Sequence, residues 1–356
     1  MIGCSVYLGT EPFHIHEERL RAMQAAGFRS IFTSLHVPEN DASAYKEEVR
    51  QLGALARGLG MELMVDVSPT ALGNLGLSFE QADQLTEWGI SGLRLDYGIA
   101  PETIAALSQT MRVAVNASTV THDEIAAMKA AGLNLEAAEA WHNFYPRPET
   151  ALGKEEFTQR NDWLHEEGLT VMAFAPGDGA LRGPLFETLP TLEKHRRSSP
   201  FAACLELLRD TGTDKVLIGD PSLSGASLAQ YAAYGEGIIP LRADKAAEAD
   251  GEALNRAETV HTNRPDSARD VIRSTESRHA AMASGLNVPV RNCTDRSTGS
   301  ITVDNERYMR YQGELQVTKR DLQQDERVNV LGRVVEEDLP LLKYIGGSQK
   351  FRIIWQ

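Results

Sequence analysis

Residues Glu62–Tyr97 read ELMVDVSPTALGNLGLSFEQADQLTEWGISGLRLDY. Two apolar runs, Glu62–Val67 and Gly92–Tyr97, flank a segment with helical patterning over Glu80–Trp88. Ser68 and Pro69 close the first run, because proline has no N–H to give to a ladder. Both runs are apolar along most of their length, as in a strand covered on both faces of a parallel sheet. The stretch is one βαβ unit, and the same alternation continues to either side. Upstream lie a strand at Met1–Leu8, a helix at Ile15–Gly27, a strand at Ser30–Val37 and a helix at Tyr45–Gly60. Downstream, helices at Pro101–Ser108, Thr121–Ala131 and Phe157–Glu167 alternate with strands at Arg112–Ala117, Leu133–Trp141 and Leu169–Ala175. A long loop with a helical tail, Pro176–Arg209, leads to an eighth strand at Lys215–Gly219 and a helix at Ser227–Tyr234. Eight even units predict closure into a (β/α)8 TIM barrel over residues 1–238. An open doubly wound sheet is the alternative, but no glycine-rich dinucleotide fingerprint follows the first strand.

After about Gly235 the texture changes. Asp244–Ala257 is rich in alanine and acid and reads as a linker or solvated helix, and His261–Asp266 as a polar turn. Short strand-like runs follow at Asp270–Ser274, Ser300–Asp304, Glu314–Thr318, Arg327–Val335 and Phe351–Trp355. Such runs without helical crossovers predict a small β-rich domain over residues 239–356.

The chain has 356 residues and a net charge of −14, which argues against nucleic acid or an anionic membrane as partner. Its three cysteines, Cys4, Cys204 and Cys293, are far apart and give no disulfide framework and no metal spacing. The segment before Glu11 lacks a basic region and a long apolar run, so no signal peptide is expected. No stretch reaches the length of a transmembrane helix. A cytoplasmic protein without cofactor is the expectation, and a homodimer is left open.

Barrel enzymes react at the C-terminal ends of their strands. The polar residues there are Tyr7, His36 with Glu39, Asp66, Asp96 with Tyr97, Asn116, Glu139 with His142 and Asn143, Asp178 and Asp220. His36, Asp66, Asp96 and His142 could in principle converge on zinc, but nothing in their order demands a metal. Alternation along GLRLDY puts Arg94 and Asp96 on one face. A guanidinium there holds the Asp96 carboxylate ionised, unless the two form only a structural ion pair. Asp66 occupies the matching tip of the adjacent strand, and Glu39 lies in the loop after the second strand. The loop AWHNFYPRPETALG, Ala140–Gly153, is stiffened by two prolines and concentrates aromatic and polar side chains. The late loops PGDGALRGP and DPSLSGAS carry Arg182, Asp220 and Ser222 where barrels often bind phosphate over a helix N-terminus.

HNFYPRPET (His142–Thr150), LRGPLFETLPTLEKHR (Leu181–Arg196), HTNRPD (His261–Asp266) and RSTESR (Arg273–Arg278) together resemble the bacterial 6-phospho-N-acetylmuramidases. The resemblance spans nearly the whole chain; Ala151 in ETALG stands where glycine is expected. It implies a barrel followed by a cyclophilin-like β domain. It also implies cytoplasmic hydrolysis of the β-1,4 bond of N-acetylmuramic acid 6-phosphate–N-acetylglucosamine during peptidoglycan recycling. Strand-end reasoning then assigns Asp96 as nucleophile or stabiliser and Asp66 or Glu39 as acid/base. Trp141, Phe144 and Tyr145 are expected to stack on sugar faces, and Arg147 and Arg182 to hold the phosphate. Arg94, His36, Asn116, His142, Asn143, Asp220 and Ser222 complete the expected substrate contacts. A phosphosugar lyase, a lactyl-ether hydrolase and a non-catalytic phosphosugar-binding protein are the alternatives.

Overall fold

The computed structural model describes residues 1–35, 42–74, 76–82, 84–95, 98–285 and 287–356. The chain divides into two compact units, Met1–Leu228 and Ala229–Gln356.

The first unit is the expected closed barrel of eight parallel strands in sequence order. These are β1 (Ile2–Ser5), β2 (Ser30–Ser34), β3 (Glu62–Val67), β4 (Gly92–Leu95), β5 (Arg112–Asn116), β6 (Ala138–Trp141), β7 (Thr170–Ala175) and β8 (Lys215–Ile218). Helix ends follow local chemistry. Thr121 caps the helix His122–Ala130 through a reciprocal pair with Glu124, and Ser199 with Pro200 starts Pro200–Asp210. The sixth strand is shorter than expected, because Asn134 caps a 3-10 turn, Leu135–Ala137, at the front of the run.

Side chains fill the barrel in layers. At the floor, near the strand starts, the Lys215 ammonium lies 2.8 Å from Glu62 Oε1 and 2.7 Å from Glu139 Oε1, and Arg112 also pairs with both carboxylates. Above them Phe32, Met64, Ala114, Trp141, Met172, Phe174 and Leu217 form a closed apolar layer. The Trp141 indole N–H donates to Glu139 Oε2 at 2.7 Å and ties the two layers together. The register then brings Ser34 beside Asp66 and Asp66 beside Arg94 at the strand ends.

The second unit is a seven-stranded sheet in the order β10-β15-β9-β14-β12-β13-β11. Its strands are β9 (Ile238–Lys245), β10 (Val260–Thr262), β11 (Val271–Arg273), β12 (Ser300–Asp304), β13 (Leu315–Thr318), β14 (Val328–Val334) and β15 (Lys350–Trp355). β9 runs parallel to β15 and antiparallel to β14. Sequence reading missed β9, β10 and the helix Thr275–Ser284. Pro240 inside β9 reads as a strand breaker, yet a buried Asp338 anchors the strand by accepting from Arg242 N at 2.9 Å and pairing with its guanidinium at 2.6 Å.

Candidate functional site

The strand ends of β3, β4 and β6 carry a connected polar group at the mouth of the barrel. Arg94 is buried and donates from Nη1 to Asp66 Oδ1 at 2.8 Å and from Nη2 to Asn143 Oδ1 at 2.5 Å. Ser34 Oγ donates to Asp66 Oδ2 at 3.3 Å. The tips of the adjacent strands β3 and β4 and the chain leaving β6 thus bring Asp66, Arg94 and Asn143 together. The sequence reading paired Arg94 with Asp96, two residues on, and that pairing lies outside the described residues; the described partners of Arg94 are Asp66 and Asn143, the register setting Asp66 directly across from Arg94. His36, Glu39, Asp96 and Tyr97 lie outside the described residues.

On the side of β1, β7 and β8, the Arg182 guanidinium stacks over the Tyr7 ring at 4.1 Å and faces the Phe144 ring at 5.6 Å. Among the described residues it makes no carboxylate ion pair. Tyr7 is buried and donates its hydroxyl to the Gly219 carbonyl; burial pushes its phenol up, and the Arg182 charge opposes the shift. Arg182 is placed from below by Asp220, a fully buried carboxylate. Asp220 accepts backbone N–H groups of Gly177 at 2.8 Å, Leu189 at 3.0 Å and Arg182 at 3.4 Å, pinning the loop after β7 at three points. Burial raises its carboxyl, and those three N–H groups pull the other way.

The phosphate seat expected at the helix N-terminus is filled by the chain itself. Asp178 accepts from Ser224 N at 2.8 Å and from the Ser224 and Ser227 hydroxyls, so its carboxylate already caps the helix Gly225–Gly235. Ser222 Oγ is taken up by the Ala180 N–H at 2.7 Å. The glycines nearby serve packing rather than anion approach. A Cβ on Gly177 would meet Asp220 Cβ at 2.6 Å, and one on Gly179 would collide with Ser222 Oγ. Asp220 and Ser222 therefore support the loop that carries Arg182, while Arg147, in the loop after β6, is exposed.

Three further expectations change on burial. Trp141 is fully buried in the apolar layer, so it has no face to offer a sugar. His142 is equally buried, with Nε2 on Asn161 Oδ1 at 2.8 Å and Nδ1 on Ser118 Oγ at 3.2 Å; burial drives its imidazole down to about 4. It fastens β6 to the helix Lys154–Glu166 and does not line the mouth. Glu139 belongs to the floor. Asn116 turns its Oδ1 to the Ser118 N–H at 3.0 Å, and Tyr145 is partly exposed, 3.5 Å from Ser118 Oγ. Phe144, also partly exposed, packs edge-on against Phe174 and Phe32. Among the described residues no group of three or more His, Cys, Asp or Glu is arranged to hold a metal ion. No helix among them is long and apolar enough to cross a membrane.

Sequence reading missed Arg196. It is buried, bonded to Glu193 through Nε and Nη2 at 2.6 and 2.8 Å, and donates to the carbonyls of Glu187, Thr188 and Arg147. It links the loops after β6 and β7. The Arg196 guanidinium holds the Glu193 carboxyl down at about 2. Its place in LRGPLFETLPTLEKHR was the available signal, though nothing in that string says which basic residue is buried.

Two family models match. One described as "6-phospho-N-acetylmuramidase, N-terminal" covers residues 2–233, and one described as "6-phospho-N-acetylmuramidase, C-terminal" covers residues 239–354. No curated protein matches. Among solved structures, a conserved protein of unknown function from a locus in Enterococcus faecalis is 41% identical, with a TM-score of 0.90, over 100% of this chain and 96% of that one. An uncharacterized B. cereus protein is 25% identical, with a TM-score of 0.76, over 99% of both chains.

Proposed function

The chain belongs to the 6-phospho-N-acetylmuramidase family, and on that premise we propose that it is a glycoside hydrolase of N-acetylmuramic acid 6-phosphate–N-acetylglucosamine. Water adds across the β-1,4 bond, its hydroxyl going to the anomeric carbon and its proton to the leaving oxygen of N-acetylglucosamine. The observation that carries this reading is the Asp66–Arg94–Asn143 chain at the strand ends, where barrels do their chemistry.

An ion-paired, hydrogen-bonded carboxylate suits a charged role, so Asp66 acts as nucleophile, stabiliser or base. The partner carboxylate that protonates the leaving oxygen comes from Asp96 or Glu39, as two-carboxylate glycosidases require. Arg94 and Asn143 hold Asp66 in one orientation, a form of preorganisation that lowers the barrier only if the geometry is kept. Phe144 and Tyr145, the partly exposed aromatics of the loop after β6, contact the sugars. Arg182, with Arg147, holds the 6-phosphate; a guanidinium stacked on an aromatic ring keeps its forked donors free for a planar or tetrahedral anion. The place of action is the cytoplasm, in peptidoglycan recycling, and the second unit is a cyclophilin-like domain.

Incubation of the full-length protein with the phosphorylated disaccharide tests the reading. Release of N-acetylglucosamine and N-acetylmuramic acid 6-phosphate supports it. Release of lactate means ether cleavage, an unsaturated sugar means a lyase, and unchanged disaccharide means a binding protein; each rejects it.

A further inference from the structure

The loop after β7 carries a feature that the assignments above leave unused. Phe186 is 61% exposed and Leu185 beside it is 48% exposed. No other phenylalanine or tryptophan among the described residues is exposed. Phe186 also has a left-handed backbone, with φ 56°, as does Thr188 with φ 60°. For a bulky residue that conformation is unfavourable and persists only where the surroundings impose it.

The imposing contacts are clear. Phe186 N–H donates to the Arg182 carbonyl at 3.2 Å. Arg196, buried beneath the loop, holds the Glu187 and Thr188 carbonyls at 2.9 and 3.2 Å. Asp220 pins Leu189 just beyond. The ring rests over Gly183, where an added Cβ would come within 3.1 Å of its outer edge. The backbone that carries Phe186 is therefore fixed, and the outer edge of its ring rests against Gly183. Phe186 stands one turn from Arg182, whose guanidinium lies over Tyr7 at the barrel mouth.

We infer that Phe186 is a substrate-binding platform that stacks on the apolar C–H face of a pyranose ring. A ring carried on fixed backbone loses little freedom on binding, so its contact adds affinity at small entropic cost. Of the three residues the sequence offered for this task, Trp141 is buried and Phe144 and Tyr145 are only partly exposed; Phe186 supplies an exposed ring. This inference rests on the glycosidase reading and adds a second contact to the phosphate grip of Arg182.

The test uses the full-length protein with Phe186→Ala and Phe186→Trp. On the phosphorylated disaccharide, Phe186→Ala raises KM about tenfold, the worth of a stacked ring at ordinary affinity arithmetic, while kcat stays within about threefold. Phe186→Trp restores KM to within about twofold. Calorimetry with N-acetylmuramic acid 6-phosphate and, separately, N-acetylglucosamine identifies the stacked ring: the sugar whose affinity falls in Phe186→Ala is the one seated there. An unchanged KM together with unchanged affinity for both monosaccharides overturns the inference. So does a Phe186→Ala variant that only converts a dimer to a monomer in light scattering, since the tip is then a self-association surface. If wild type binds a monosaccharide through Phe186 but does not cleave the disaccharide, the platform stands and the glycosidase reading falls. If wild type neither cleaves the disaccharide nor binds either sugar, both are rejected.

Discussion

Arg182→Ala separates recognition of the phosphate from everything else the barrel mouth does. In the structure the guanidinium is anchored by stacking, 4.1 Å over Tyr7, and makes no carboxylate ion pair among the described residues. Its forked donors are thus available to a phosphate. A charge-assisted hydrogen bond is worth about 1.5–3 kcal/mol, and a bidentate grip contributes two. Taking the low end, because Arg182 is only half-buried, gives about 3 kcal/mol, or roughly 150-fold in kcat/KM for the phosphorylated disaccharide. The unphosphorylated disaccharide never makes those bonds, so it should lose no more than about threefold, from the missing cation–π contact and any slackening of the loop. Arg182→Lys keeps the charge without the fork and should fall between, near tenfold. The assay is kcat/KM on both substrates for wild type and both variants, with thermal midpoints measured alongside. Equal losses on the two substrates would show that Arg182 supports the loop and that phosphate is held elsewhere.

Asp66→Asn keeps the shape and the Ser34 contact but removes the charge facing Arg94; turnover should drop at least about a thousandfold with the circular dichroism unchanged. Near-normal turnover would exclude Asp66 from the chemistry. Lys215→Met leaves Glu62 and the fully buried Glu139 with Arg112 as their one remaining cation among the described residues at the barrel floor, and about 3 kcal/mol of stability should be lost by urea titration followed through tryptophan fluorescence. In a Glu139→Gln background the same change should cost much less, and equal costs in the two backgrounds would mean that the floor network is not coupled. His142 titrates at about 4 when folded, below its ordinary 6.5, so the unfolded chain binds the extra proton first. Its contribution is complete above about pH 6.5 and is lost as pH falls towards 4, amounting to about 2.5 kcal/mol between pH 7 and 4.5. His142→Gln should remove that part of the acid sensitivity, and an unchanged pH profile would contradict the burial argument.

The barrel was legible because each strand announces itself twice, by a continuous apolar run and by the turn that ends it. Register was not legible, and it decides the site. GLRLDY puts Arg94 on one face of its strand but does not say which side chains meet it from elsewhere; in the barrel Asp66, across from it, and Asn143 do. Burial was the second blind spot. Trp141, just before the motif His142–Thr150, and Phe186, inside Leu181–Arg196, are both aromatic, and nothing local says that one fills the barrel while the other stands in solvent. Capping was the third. The loops after β7 and β8 have the glycine and serine content of a phosphate seat, yet Asp178, from the neighbouring loop, closes the helix end. In the second unit β9 was lost because Pro240 argues against a strand, whereas Asp338 and pairing on both sides hold it in the sheet.

The activity proposed for this chain is cleavage of a glycosidic bond in a phosphorylated amino-sugar disaccharide. Mass spectrometry of the products formed in heavy-oxygen water tests it most directly. The expected products are N-acetylglucosamine without the label and N-acetylmuramic acid 6-phosphate carrying one heavy oxygen at its anomeric carbon. Label in released lactate, an unsaturated sugar, or intact disaccharide after prolonged incubation would contradict it.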